Sequence, residues 1–173
     1  MICFLVLACG LSQFYCANTN NTGTPTGLVL QGHLAPGFTF KDYTGKQQSL
    51  QDFRGKVVLL NFWGTFCPPC REEMPSKEAL QRQMDKNEFA IIALSVDDSW
   101  DSVNQFMRKN GFTLPVYADF DKRISSMYGT FMYPESYILD RNGKVAYKVV
   151  GPTDWTSADM MKFLRVLVLE KAA

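Results

Sequence analysis

One junction limits what this chain can fold into. Val57-Val58-Leu59-Leu60-Asn61-Phe62 is nearly all apolar and rich in β-branched residues, the pattern of a strand buried on both faces. It runs straight into Trp63-Gly64-Thr65-Phe66-Cys67-Pro68-Pro69-Cys70-Arg71-Glu72-Glu73-Met74-Pro75, and the stretch from Arg71 to Lys86 is rich in helix formers. Prolines directly after Cys67 suit the first helical positions, whose N–H groups have no partner within the helix. A buried strand therefore ends at a cysteine on a helix N-terminus, and Cys70 lies one turn in.

That placement has a chemical consequence. Unpaired N–H groups and the positive end of the helix dipole stabilise an anion there, and a thiolate is such an anion. A free thiol titrates near ~8.5, and a helix N-terminus or a C-x-x-C arrangement brings it to roughly 3.5–7.5. The spacing alone is ambiguous, because paired C-x-x-C motifs also hold zinc and C-x-x-C-His attaches haem. Here there is no second pair, Arg71 follows Cys70, and the one histidine, His33, lies far upstream. Redox chemistry and a structural disulfide remain, and the strand-to-helix context favours redox chemistry.

The rest of the domain fits around this junction. Phe89 to Val96 is a second near-continuous apolar strand, giving a β-α-β unit with reactive groups expected at its strand ends. Asp98 or Ser99 caps a helix carrying Val103, Phe106 and Met107 on one face, and Asn110-Gly111 stops it. Pro115-Val116-Tyr117 reads as a short strand and Lys122 to Tyr128 as a short helix. Arg141-Asn142-Gly143 is a hairpin turn between strands Ser136–Asp140 and Lys144–Val150, and Thr156 or Ser157 caps a last helix to about Glu170. An earlier small hairpin around Asp42-Tyr43-Thr44-Gly45 is expected as decoration on the core.

The N-terminal part differs in composition. Among 173 residues, 46% of them hydrophobic, none from Met1 to Phe40 is Lys, Arg, Asp or Glu, and Ile2 to Cys9 is continuously apolar. Residues 1–17 read as an export segment, 18–33 as a flexible tether and 34–173 as one compact domain. Val6-Leu7-Ala8-Cys9-Gly10 resembles a lipobox, which implies lipidation at Cys9; a cleaved signal and an uncleaved anchor stay open. In each case the domain faces outward and meets a membrane only through its N-terminus. A net charge of +1 offers no case for nucleic acid, and three of the five cysteines precede the domain, leaving only Cys67 and Cys70 inside it.

The segment from Trp63 to Pro75, with Ala35-Pro36-Gly37-Phe38, Val96-Asp97-Asp98 and Tyr133-Pro134 before Ser136-Tyr137-Ile138-Leu139-Asp140, resembles the TlpA-like thiol-disulfide oxidoreductases of the ResA and DsbE types. The resemblance covers about Ala35 to Glu170. It implies an α/β thioredoxin-like sandwich with an N-terminal β-hairpin and an inserted helix-strand element. It also implies a cis bond before Pro134 and substrate contact through Trp63, Tyr133, Pro134 and Glu135. Met132 departs from the glycine common two residues before that proline. Asn61 stands where thioredoxin itself has a buried aspartate, and the proton-handling carboxylate of the resembling group falls on Glu73, on the helix face of Cys70.

The function implied is disulfide reduction without cofactor or metal: the Cys67 thiolate attacks and Cys70 resolves the mixed disulfide. Exported protein disulfides such as apocytochrome c would be the substrates, and a membrane thiol carrier the electron donor. Two alternatives fit the residues less well. A peroxiredoxin wants Pro-x-x-x-Thr-x-x-Cys, but Gly64 occupies the Thr position and the upstream Pro is missing. A Sco-like copper-binding module needs a distal histidine, and none follows His33.

Overall fold

The computed structural model describes residues 29–170. The expected export segment with Cys9, and residues 18–28 of the expected tether, lie outside the described residues. Strands β1 (Thr39–Lys41), β2 (Gln47–Ser49), β3 (Val57–Trp63), β4 (Phe89–Ser95), β5 (Val116–Ala118), β6 (Glu135–Leu139) and β7 (Val145–Val150) form one sheet in the order β2-β1-β5-β4-β3-β6-β7. Helices α1 (Pro68–Gln83), α2 (Trp100–Asn110), α3 (Arg123–Met127) and α4 (Ala158–Leu169) connect or follow them. This is a thioredoxin-like α/β sandwich with an extra N-terminal hairpin and an inserted helix and strand.

The sheet is built outward from β3, whose seven residues are all buried. It pairs in parallel with β4 over its full length, from Val57↔Phe89 to Trp63↔Ser95, and antiparallel with β6 on its other side. Because side chains alternate across a strand, Val57, Leu59 and Trp63 enter one core with Met74 and Leu80 of α1, Val103 of α2 and Leu164 of α4. Val58, Leu60 and Phe62 enter the other with Phe38, Phe40, Ile124, Tyr128 and Tyr137. A strand apolar at all but one position, Asn61, serves both layers at once.

The N-terminal hairpin is more than decoration. Lys41 of β1 pairs with Ala118 of β5, so the hairpin extends the sheet, and the buried Phe40 packs edge-on against Tyr117 with ring centroids 4.6 Å apart. The last residues before it are tied down too: the Gly32 N–H donates to the Val145 carbonyl at 2.8 Å and Leu34 bridges Lys144. Gly111 takes φ +67° just past α2, a left-handed conformation in which a side chain would be strained, as the Asn110-Gly111 stop signal requires.

Candidate active site

Cys67 caps the N-terminus of α1, with Pro68 and Pro69 as the first helical residues. The Cys70 backbone N–H donates to Cys67 Sγ at 3.2 Å, an orphan helix donor turned on the sulfur. Cys67 and Cys70 are joined as a disulfide with Cα atoms 5.3 Å apart. Cys70 is completely enclosed and Cys67 is the outer of the two. Across from them the Tyr133–Pro134 bond is cis, and the Tyr133 carbonyl oxygen lies 3.5 Å from Cys67 Sγ.

Two loops frame the sulfurs. The first, from β3 into α1, is fastened by the buried carboxylate of Asp97: it accepts from the Thr65 N–H at 3.0 Å, from the Thr65 hydroxyl at 2.6 Å and from the Ser95 hydroxyl at 2.7 Å. Arg71 Nη1 donates to the Thr65 carbonyl at 3.2 Å. The second loop, between α3 and β6, carries Phe131, Met132 and Tyr133. Phe66 and Phe131 are 60% and 80% exposed, and the Phe66 ring stands edge-on to Tyr133 at 6.4 Å, so the rim of the disulfide is aromatic and open.

Below the sulfurs the polar groups converge on Glu73. One carboxylate oxygen, Oε1, receives Lys77 Nζ at 2.7 Å and Asn61 Nδ2 at 3.3 Å. The other, Oε2, receives the Trp155 indole N–H at 3.1 Å and the Thr153 N–H at 3.3 Å. Lys77 Nζ also donates to Asn61 Oδ1 at 2.6 Å, and Asn61 Nδ2 to Ser136 Oγ at 2.9 Å. Burial pulls the Lys77 ammonium below the usual lysine range, and the Glu73 charge beside it offsets part of that fall. On its outer side Glu73 borders an open groove of about 380 Å³ shared with Glu72, Ser76, Pro152 and Thr153.

Not every expected site residue reaches the surface. Cys67 and Tyr133 meet at the rim, Pro134 after the cis bond is buried, and Glu73 lies beneath the rim. Trp63 is fully enclosed, its indole N–H without a partner and its ring 5.7 Å from Phe106. Glu135 is also fully enclosed, on the opposite face of the sheet from Ser136. Its Oε1 accepts from the Tyr137 hydroxyl at 2.6 Å and the Thr130 hydroxyl at 2.8 Å and pairs with Lys148 Nζ at 3.0 Å, while Oε2 has no partner. Burial, followed by that carboxylate, pushes the Tyr137 phenol well above its ordinary range. Neither Trp63 nor Glu135 offers side-chain surface to a docked chain; both support the loops that do.

Comparison with known proteins agrees with this geometry. The AhpC/TSA family profile matches residues 31–148. The chain is 38% identical over 120 residues to the thiol-disulfide oxidoreductase ResA of Bacillus thuringiensis, covering 69% of each protein. It is 36% identical over 131 residues to ResA of Geobacillus thermodenitrificans, covering 76% of this chain and 75% of that one. The chain belongs to the AhpC/TSA family, as a thioredoxin-fold thiol-disulfide oxidoreductase of the ResA, DsbE and TlpA group. Among solved structures, a chain described as the thiol:disulfide interchange protein DsbE of Chlorobium tepidum superposes with a TM-score of 0.74 at 27% identity, covering 81% of this chain and 99% of that one.

Two polar groups packed against the site carry contacts that the sequence reading does not assign to them. Asp97 matters through Thr65, 32 positions away, a contact no local pattern encodes. Lys77 carried a signal that was there to use: Cys70, Glu73, Met74, Lys77 and Leu80 follow the i, i+3, i+4, i+7, i+10 spacing of one helix face, which puts the lysine inward.

Proposed function

We propose that this oxidoreductase works outside the cytoplasm as a membrane-tethered disulfide reductase, with Cys67 as the attacking and Cys70 as the resolving sulfur. The observation that carries the assignment is the position of Cys67 at the helix N-terminus, outermost of the pair and 3.5 Å from the Tyr133 carbonyl, where a substrate strand would lie along the Tyr133-Pro134 loop. In the reduced enzyme the Cys67 thiolate attacks a substrate disulfide; a mixed disulfide forms and one substrate sulfur leaves as a thiolate that takes a proton from water. Cys70 then gives its proton to Glu73, attacks Cys67 Sγ, and the second substrate sulfur departs. Two electrons pass to the substrate and the Cys67–Cys70 disulfide is left for re-reduction.

Exported proteins such as apocytochrome c fit as substrates and a membrane thiol carrier as the donor, in keeping with an uncharged N-terminus and a lipobox-like segment whose Cys9, if lipidated, would hold the domain at a membrane surface. The similarity to ResA proteins supports the same reading. The test is trapping in cells: Cys70→Ser accumulates mixed disulfides with exported proteins and Cys67→Ser does not. Equal trapping by both variants overturns the assignment. A reduction potential near that of thioredoxin, roughly −270 mV, goes with a reductant, and one near roughly −120 mV refutes it.

The AhpC/TSA match favours a second reading, peroxide reduction. Against it, a Cβ at Gly64 would approach Phe66 Cε1 to 2.5 Å, so the threonine a peroxiredoxin wants there would have to displace that ring. Hydrogen peroxide consumption by the reduced protein at rates matching its protein-disulfide reduction would reverse the order of the two readings.

A further inference from the structure

Lys77 is a lysine where packing calls for an apolar residue. It is completely buried on the inward face of α1, between Cys70, Met74 and Leu80 on the same face. An enclosed ion pair is seldom worth more than well-packed hydrophobic residues of the same volume, because both charges lose their hydration. Stability therefore does not explain it. Its contacts do: the Nζ atom touches Glu73 Oε1 and Asn61 Oδ1, and nothing else in the hydrogen-bond network of the described residues.

A carboxylate near two thiols opposes the ionisation of both, since each would place a second negative charge in the same enclosure. Glu73 lies on the helix face of Cys70, one turn away. The oxidoreductase thus faces opposed demands, an ionised base to take the Cys70 proton and no net negative charge to resist the thiolates. A buried cation bonded to that base meets both. We propose that Lys77 is a positioning residue of the redox reaction, holding Glu73 as a carboxylate while cancelling its charge toward Cys67 and Cys70. The proposal rests on reading Glu73 as the proton acceptor.

The step balances. Cys70–SH and Glu73–COO⁻ become Cys70–S⁻ and Glu73–COOH; Lys77 keeps its proton, and the enclosure carries the same net charge before and after. The thiolate then forms its bond to Cys67 Sγ as the mixed disulfide breaks and the substrate sulfur leaves. The Glu73 proton passes to water through the groove that it borders with Ser76, Pro152 and Thr153. Glu72 and Asp154 line the outer groove beside Glu73, but among the described residues no ionisable side chain other than Lys77 bonds to Glu73, and none other than Glu73 bonds to Lys77. On α1, Glu78 faces Thr113 and Leu114 and pairs with Arg82; β3 offers Asn61 and β6 offers Ser136. After β7, Thr153 and Trp155 supply neutral donors while Asp154 turns to Thr156, and Lys148 pairs with Glu135 on the sheet's other face.

The experiment is a double-mutant cycle on the whole protein. It reads the pH profile of Cys67 alkylation in the reduced enzyme and of mixed-disulfide resolution with a model peptide disulfide. Lys77→Met should move both profiles to higher pH by about one to three units, the range in which one close opposite charge acts. At a fixed pH on the rising limb that is a slowing of about tenfold or more. Lys77→Gln, which keeps a hydrogen-bond donor without the charge, should do the same and replaces the Met variant if that fails to fold. In a Glu73→Gln background either change should leave the profiles in place, because an unpaired buried amine is neutral and has no carboxylate to offset. Unmoved profiles in the single variants overturn the proposal, and so does an equal shift in both backgrounds, which would mean that Lys77 acts on the sulfurs directly. If Glu73→Gln alone leaves resolution at the parent rate, it is the reading of Glu73 as acceptor that falls.

Discussion

Removing the Asp97 carboxylate should unfasten the loop that carries Phe66 and Cys67. Asp97→Ala deletes the acceptor of the Thr65 N–H, the Thr65 hydroxyl and the Ser95 hydroxyl, at 3.0, 2.6 and 2.7 Å. The hydroxyls can turn to other partners, but the half-buried amide cannot. A hydrogen bond to a charged group is worth about 1.5–3 kcal/mol and an abandoned buried donor costs about 1–3 kcal/mol, terms that overlap rather than add. The expected loss is about 3 kcal/mol, and at roughly 3–5 °C per kcal/mol for a domain of this size the midpoint should fall by about 10 °C. Asp97→Asn keeps the shape and one acceptor oxygen, so it should lose about half as much. Urea unfolding of the oxidised protein, read as a change in midpoint at constant slope, measures both. Disulfide reduction by the Ala variant should slow more toward a folded protein substrate than toward a small disulfide, since the loop forms part of the docking rim. An Ala variant within about 0.5 kcal/mol of the parent, the scatter of ordinary surface substitutions, would refute the clamp.

Two further substitutions test other parts of the structure. Burial works to raise the Glu78 carboxylate, but hydrogen bonds from the Thr113 side chain, the Thr113 and Leu114 N–H groups and the Arg82 charge outweigh it and hold the group below the usual range. A depressed carboxylate stabilises the fold above its unfolded value of ~4.3, and the effect fades as pH falls through the folded value. Glu78→Gln should therefore lose about 1.5–3 kcal/mol at pH 7, with the gap closing below roughly pH 4; a gap independent of pH would show that the charge is irrelevant. Gly64→Ala should swing the exposed Phe66 ring away from Tyr133, because the new Cβ would meet it at 2.5 Å. An aromatic contact is worth about 0.5–1.5 kcal/mol, so the KM for a protein disulfide should change by roughly two- to tenfold while thermal stability holds, and an unchanged KM would remove Phe66 from the docking rim.

What the sequence reveals and what it hides divide along a physical line. The run Val57 to Phe62, the Cys67 cap with its two prolines, the Asn110-Gly111 stop and the Arg141-Asn142-Gly143 turn are local signals, set by periodicity and by φ preferences, and all stand in the structure. The burial of Lys77 was legible only to a strict count of helix faces, since a Glu-to-Lys spacing of four reads at first as a solvated surface pair. The hairpin's role in the sheet turned on a single pairing, Lys41↔Ala118, between segments 77 positions apart. Glu135 follows the proline of the rim, yet β-strand alternation turns it to the far face, where Tyr137, Thr130 and Lys148 receive it. Long-range contacts of this kind leave no trace in local composition.

The bonds that tie Gly32 and Leu34 to Val145 and Lys144 give the molecule a direction. They lie at the turn between β6 and β7, level with the start of β3, because Leu139 lies opposite Val58 and Val145 pairs with Leu139. The sulfurs stand past the other end of β3, and seven residues at about 3.3 Å each set the two poles roughly 20 Å apart. The N-terminal end of the described residues is thus fastened at the pole opposite the disulfide. The disulfide therefore faces away from the pole at which Gly32 and Leu34 are bonded into the sheet, on the side where Phe66 and Phe131 lie open to solvent.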